Sequence, residues 1–134
     1  MRYNEFITIV QDRGHIATFE QAERTARIVL EVLGERLSEG ETIDVAEQLP
    51  HELRSALLQS TDVSSFGKDE FIKRVSEREY VGLIEAEEHV RAVLSIIPTA
   101  ISTEEFYDML SQLPQDIREL FSLRAKADFA GLGM

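Results

Sequence analysis

The sequence predicts an all-α helical bundle, a single domain built from two tandem four-helix repeats related by a pseudo-twofold axis. Three observations predict it. The chain aligns with itself at an offset of 65 and then 64 residues, with 12 identities over the 36 positions that pair 22–57 with 86–121. Apolar residues recur at i, i+3, i+4 and i+7, the spacing of one helix face. No β-type alternation of useful length interrupts them. Two copies are too few for a solenoid, and each copy alone could not bury its apolar faces, so the copies are expected to close on each other.

The first repeat is expected over 3–58 and the second over 68–122, joined by a linker at 59–67. The opening helix carries Tyr3, Phe6, Ile7 and Val10, matched by Phe71, Ile72 and Val75. The second and longest helix starts at Thr18-x-x-Gln21, a capping-box spacing in which the hydroxyl accepts from the N3 amide and Gln21 reaches back. Its stripe of Ala22, Ala26, Val29, Leu33 and Leu37 is widened by Leu30 and Val32, which suits a helix covered on several sides. Ala86, Val90, Val93, Leu94, Ile97 and Ile101 repeat it, with Pro98 opposite Gly34, and the proline predicts a kink or an early stop. The third helix opens at Ser38-x-x-Glu41 and again at Ser102-x-x-Glu105, both capping boxes. It should stop near Leu49 and Leu113, since the residue before a proline avoids the α region. Pro50 and Pro114 then fit the first position of a fourth helix, with Leu53, Leu57, Ile117 and Phe121 inward. The tail, residues 131–134, is expected to fray.

Composition bounds the functions. The 134 residues carry a net charge of −11, and 43% of them are hydrophobic, a globular balance. Both halves are acidic, so nucleic acid and anionic membrane surfaces, which take their affinity from Lys and Arg, are disfavoured as partners. No apolar run approaches the ~20 residues of a bilayer span, and the start turns amphipathic at once instead of forming a signal-peptide core. The absence of cysteine removes disulfides, thiol chemistry and thiolate metal sites. A cytoplasmic location is the resulting expectation.

Several local motifs are carried together: Arg2-Tyr3-x-Glu5-Phe6, Leu33-Gly34-Glu35-Arg36-Leu37-Ser38-x-Gly40-Glu41, and Asp44-Val45-Ala46-x-Gln48-Leu49-Pro50-x-Glu52-Leu53-Arg54. The second half adds Ala86-Glu87-Glu88-His89-x-Arg91-Ala92-Val93-Leu94 and Gln112-Leu113-Pro114. In this combination the sequence resembles the bacterial domain-of-unknown-function 2267 family from about Arg2 to Phe121. The resemblance implies a small helical protein and carries no activity with it. Ile96-Ile97-Pro98-Thr99-Ala100 departs from it.

Candidate chemistry is sparse. His15, His51 and His89 share no i, i+3 or i+4 spacing and do not recur between the repeats, where Thr25 stands opposite His89; they are read as solvated. A di-iron carboxylate centre needs paired Glu-x-x-His motifs, but Ala86 stands three residues before His89. Glu23 and Glu87 sit beside the apolar stripe and are expected to reach solvent. No EF-hand loop, phosphate-cradling glycine loop or nucleophile elbow is present. No catalytic residue, metal ligand or cofactor is therefore assigned.

A polar set does repeat: Arg27 with Arg91, Asp44 with Asp108, Gln48 with Gln112, and Arg54 with Arg118. Its structural reading is a carboxylate–guanidinium pair, Asp44/Arg54 and Asp108/Arg118, pinning each corner between third and fourth helices with hydrogen bonds to the freed carbonyls. Its functional reading is an anion or acidic-partner cradle built twice. The leading function is a non-enzymatic acidic interaction module binding a protein partner, with self-association as a further option. Phe66, Tyr80, Tyr107 and Phe129 are candidate anchors, and local packing is the competing reading for each. The alternative is a small-molecule-binding or enzymatic protein whose pocket lies between the repeats, with Arg27 and Arg91 facing it.

Overall fold

The computed structural model describes residues 1–59 and 64–123, and every regular element among them is helical. The first half contains α1 (Tyr3–Arg13), α2 (Phe19–Gly34), α3 (Glu39–Gln48), a 3-10 turn (His51–Leu53) and α4 (Arg54–Leu58). The second contains α5 (Lys68–Glu79), α6 (Leu83–Leu94), α7 (Ile97–Ala100), α8 (Thr103–Leu110), α9 (Gln115–Arg118) and a 3-10 turn (Glu119–Phe121). Residues 60–63 of the expected linker, the anchor Phe129 and the tail at 131–134 lie outside the described residues.

Helix α2 occupies the centre because it is apolar around most of its circumference. Ala22, Ala26, Val29, Leu30, Val32 and Leu33 are fully buried, and the helix packs against α1, α4, α5 and α6. Phe6, Phe71, Leu53, Leu57 and Leu94 complete one continuous core. Each such side chain contributes about 1.5–3 kcal/mol on burial, against about 0–1 kcal/mol for an exposed ion pair. Packing therefore holds the bundle, and the polar groups set its register.

The helix ends follow their caps. Thr18, Ser38 and Ser102 accept from the amides of Gln21, Glu41 and Glu105. The long helices stop earlier than the apolar stripes suggest: α2 ends at Gly34 and α6 at Leu94, leaving Leu37 buried in the connection and Ile97 buried at the start of α7. Pro98 lies in the first turn of the separate helix α7, so the early stop takes the form of a new short helix. Pro50 and Pro114 are cap residues with extended backbone (ψ 137° and 160°), one position ahead of the expected helical start. The start of α5 has a glycine cap without a side chain, and Asp116 of α9 supplies the acceptor, Oδ2 lying 2.9 Å from the Lys68 amide.

Gly34 is dictated by a close approach. A Cβ there would lie 2.3 Å from the backbone oxygen of Leu57, so a side chain would force α2 off α4. Gly34→Ala is expected to lose about 1–3 kcal/mol in urea unfolding despite its better helix propensity. Gly40 has open space around its Cβ position, and Gly40→Ala is expected to gain about 0.5–1 kcal/mol.

Candidate functional site

The repeated polar set is spent on the backbone. Arg54 donates to the carbonyls of Leu49 (3.4 Å) and Glu47 (3.1 Å), and Arg118 donates to that of Leu113 (2.9 Å). The carbonyl half of the corner is thus present. The carboxylate half is corrected: among the described residues neither Asp44 with Arg54 nor Asp108 with Arg118 forms an ion pair, because the short turn aims each guanidinium at the carbonyls freed by the following proline. Arg27 and Arg91 each engage backbone of their own half. Arg27 donates to the Glu52 carbonyl at 3.1 Å. Arg91, 5% exposed, donates to the carbonyls of Glu119 and Ser122 and to Glu87. Each arginine braces its long helix against the 3-10 segment of its own half.

The glutamines cross between halves. Gln112 Oε1 accepts from the Ser38 amide at 2.9 Å and its Nε2 donates to Ser38 Oγ, while Gln48 Oε1 accepts from the Ser102 amide at 2.6 Å. In a capping box those amides would bond Glu41 and Glu105. Released from that duty, the two glutamates meet between α3 and α8, with carboxylate oxygens of Glu41, Asp44 and Glu105 all within 4.8 Å of one another. Burial, the Glu105 carboxyl and then the charges of Asp108 and Asp44 push the Glu41 pKa up to about 8.

A second polar cluster lies in a cleft of about 330 Å³ between the two halves, lined by Gln21, Arg24, Thr25, Glu79, Glu85 and His89 among others. The expectation that His89 is solvated is corrected here: it is 7% exposed, as is Glu79. Nδ1 of His89 donates to Glu79 Oε2 at 2.8 Å, and the Thr25 hydroxyl donates to Glu79 Oε1. The second ring nitrogen stands 3.9 Å from a Glu85 oxygen. Burial works against the imidazolium, but the Glu79 hydrogen bond and charge, followed by Glu85 and Glu88, overcome it and raise the His89 pKa. The cluster can hold a proton and bind a polar group. Thr25, the one hydroxyl side chain lining the cleft, gives its proton to Glu79 and is not activated by the imidazole.

Outside the cleft, the turn after α5 and the start of α6 expose large apolar side chains. Tyr80 is 89% exposed, Leu83 60% and Ile84 90%. Leu83 and Ile84 form a ridge between two surface grooves whose walls include Asp69, Lys73, Glu87, Glu85, Glu88 and His15. Tyr80 adopts a left-handed backbone (φ 61°), a conformation that costs a non-glycine residue about 1–2 kcal/mol. Of the other anchors, Tyr107 is 64% exposed beside Phe106. Phe66 packs on Phe71 beneath the Arg74 guanidinium, which sits 4.0 Å from its ring centre, so local packing accounts for it. Glu23 and Glu87 are half-buried, Glu23 accepting from the Tyr3 hydroxyl and Glu87 from Arg91.

Sequence reasoning missed Thr25, Glu79, Leu83 and Ile84. The buried cluster had a signal: Glu79 continues the Phe71, Ile72, Val75 stripe and His89 lies on the Ala86, Val93 face, so both were polar residues in apolar phase. Ile84 had the converse signal, sharing its helix face with Glu88.

A family model described as "Uncharacterized conserved protein (DUF2267)" matches residues 3–120. No curated protein matches the chain.

Removing one member of the buried pair strands the other. Glu79→Ala is expected to cost about 3–5 kcal/mol in denaturant unfolding. The pairing stabilises the fold fully below the ordinary His value of 6.5 and is lost as pH rises through the raised folded value. His89→Gln should remove that descending part of the stability–pH curve.

Proposed function

The chain belongs to the DUF2267 family, and we propose that it acts as a non-enzymatic helical interaction module of the bacterial cytoplasm. Its docking element is the ridge of Leu83 and Ile84 with the exposed Tyr80 of the preceding turn, and its partner is a basic amphipathic helix of another protein. The observation that carries this reading is the exposure of three large apolar side chains within five residues, one of them an aromatic held in a left-handed backbone. Exposed apolar groups concentrated in this way mark binding surfaces. Charge selects the partner: Asp69, Glu85, Glu87 and Glu88 outnumber Lys73 and His15 around the ridge, on a chain of net charge −11. A helix with apolar anchors at i, i+3 and i+4 and basic flanks fits such a rim. Among the described residues no helix is long and apolar enough to cross a membrane.

The same reading takes the two halves as repeats related by a pseudo-twofold axis. Its support is the reciprocity of the contacts: Gln112 with Ser38 answers Gln48 with Ser102, and the left-handed residues His15 and Tyr80 occupy equivalent places in the alignment. A small-molecule site is the second reading. It is favoured by the buried His89–Glu79 pair lining a cleft between the halves.

Photo-crosslinking from position 84 in the cells of origin, with peptide mapping, tests the module. The expected product joins the ridge to a basic amphipathic segment of a second protein. Leu83→Asp with Ile84→Asp should abolish it while changing stability by no more than about 0.5 kcal/mol. Tyr80→Gly should weaken it and keep stability within about 1 kcal/mol. Crosslinks only to copies of this chain, to an acidic segment, or unchanged in the double variant would sink the reading.

A further inference from the structure

We propose that the joint between α3 and α8 is a binding site for a hard divalent cation of the Ca²⁺ type, held by the carboxylates of Glu41, Asp44 and Glu105. The site draws on helices from both halves, and nothing in the docking reading requires it.

The first observation is geometric. Carboxylate oxygens of the three residues lie within 4.8 Å of one another, a spread that one cation can span with bonds of about 2.3–2.6 Å. The second is an unpartnered buried group. Glu41 is only 8% exposed, and among the described residues no Lys, Arg, hydroxyl or backbone donor reaches its Oε2 or the buried Oε2 of Glu105; the two carboxyls meet only each other. Buried carboxyls that face only one another are costly, because they have left water and gained no cationic or amide partner in exchange. Backbone amides that would have served these glutamates are occupied by Gln48 and Gln112.

Charge points the same way. The chain is rich in ion pairs between α2 and α5, where Arg74 and Arg78 meet Glu35 at 2.9 and 2.7 Å. Among the described residues, no Lys, Arg or His pairs with Glu41, Asp44 or Glu105, and the charge of Asp108 adds to theirs at Glu41. One proton shared between Glu41 and Glu105 would neutralise a single carboxylate and leave Asp44 and Asp108 facing the pair. A divalent cation offsets two charges and supplies both stranded oxygens with a partner. All-oxygen, all-carboxylate donors select a hard ion such as Ca²⁺ over a thiolate- or imidazole-seeking metal. Ca²⁺ takes several carboxylates in irregular geometry, whereas Mg²⁺ demands a near-ideal octahedron and keeps its waters.

The test uses the full chain stripped with chelator and titrated with calcium chloride by calorimetry, with thermal unfolding in parallel. Saturable one-to-one binding below about 1 mM and a rise in the unfolding temperature are expected, with magnesium chloride at least about tenfold weaker. Glu105→Gln and Asp44→Asn should each weaken calcium binding at least tenfold, and Asp12→Asn, remote from the joint, should not. Glutamine is close in shape to a protonated glutamate, so Glu41→Gln should stay folded, gain stability in chelator and lose the calcium response. No calcium dependence in the wild-type chain overturns the proposal, as does undiminished binding in Glu105→Gln and Asp44→Asn. A gain of stability in Glu41→Gln combined with wild-type indifference to calcium also overturns it, since a shared proton then holds the joint.

Discussion

The burial of α2 is the constraint on which the rest of the molecule depends. A sixteen-residue helix with nine of its residues buried must be covered by four neighbours, and four neighbours can reach it only if their backbones approach closely. Gly34 is where that demand is sharpest, with the Leu57 carbonyl occupying the space of a side chain. Polar groups caught near such a helix have no water to fall back on. Thr25 on α2 therefore meets Glu79, and Glu79 meets His89, forming a chain in which each partner satisfies the next.

Around that centre the arginines of the repeated polar set work as braces on the backbone. Arg54, Arg118, Arg27 and Arg91 all donate to backbone carbonyls of the turns and short helices beside them. A planar guanidinium with five donors suits that task better than a single ammonium. The glutamines extend the same principle across the molecule, each taking over a cap amide on the opposite half. That exchange sends Glu41 and Glu105 into each other's company, so a satisfied cap in one place creates an unsatisfied cluster in another.

Much of the architecture was legible in the sequence because it rests on local rules. Thr18, Ser38 and Ser102 start helices by capping, Pro98 stops one, and the stripes of α1, α2 and α6 name the core. The corner arginines were recognisable, but their acceptors were not, since spacing along the chain cannot tell a carboxylate one turn away from a carbonyl freed by proline. The capping boxes at Ser38 and Ser102 looked complete, and only the tertiary arrangement reveals that glutamines from afar replace half of each. His89 was misread because a histidine on a helix is usually wet; its buried partner Glu79 lies ten residues earlier, on another helix. Leu83 keeps the phase of the core stripe and is exposed only because α6 begins beyond its neighbours.

The cap that Asp116 places on α5 has a consequence for how the polypeptide is born. Forty-eight residues separate the carboxylate from the Lys68 amide it accepts, so when α5 leaves the ribosome its leading end has no acceptor to complete it. The chain's first half can place α1 and α4 against α2 during synthesis, while the start of α5 waits for Asp116 to be translated. Completion is thus vectorial in one half and retroactive in the other. A nascent chain stalled before residue 116 would present a frayed helix end to chaperones and proteases while Ile117, Leu120 and Phe121 are still missing from its core.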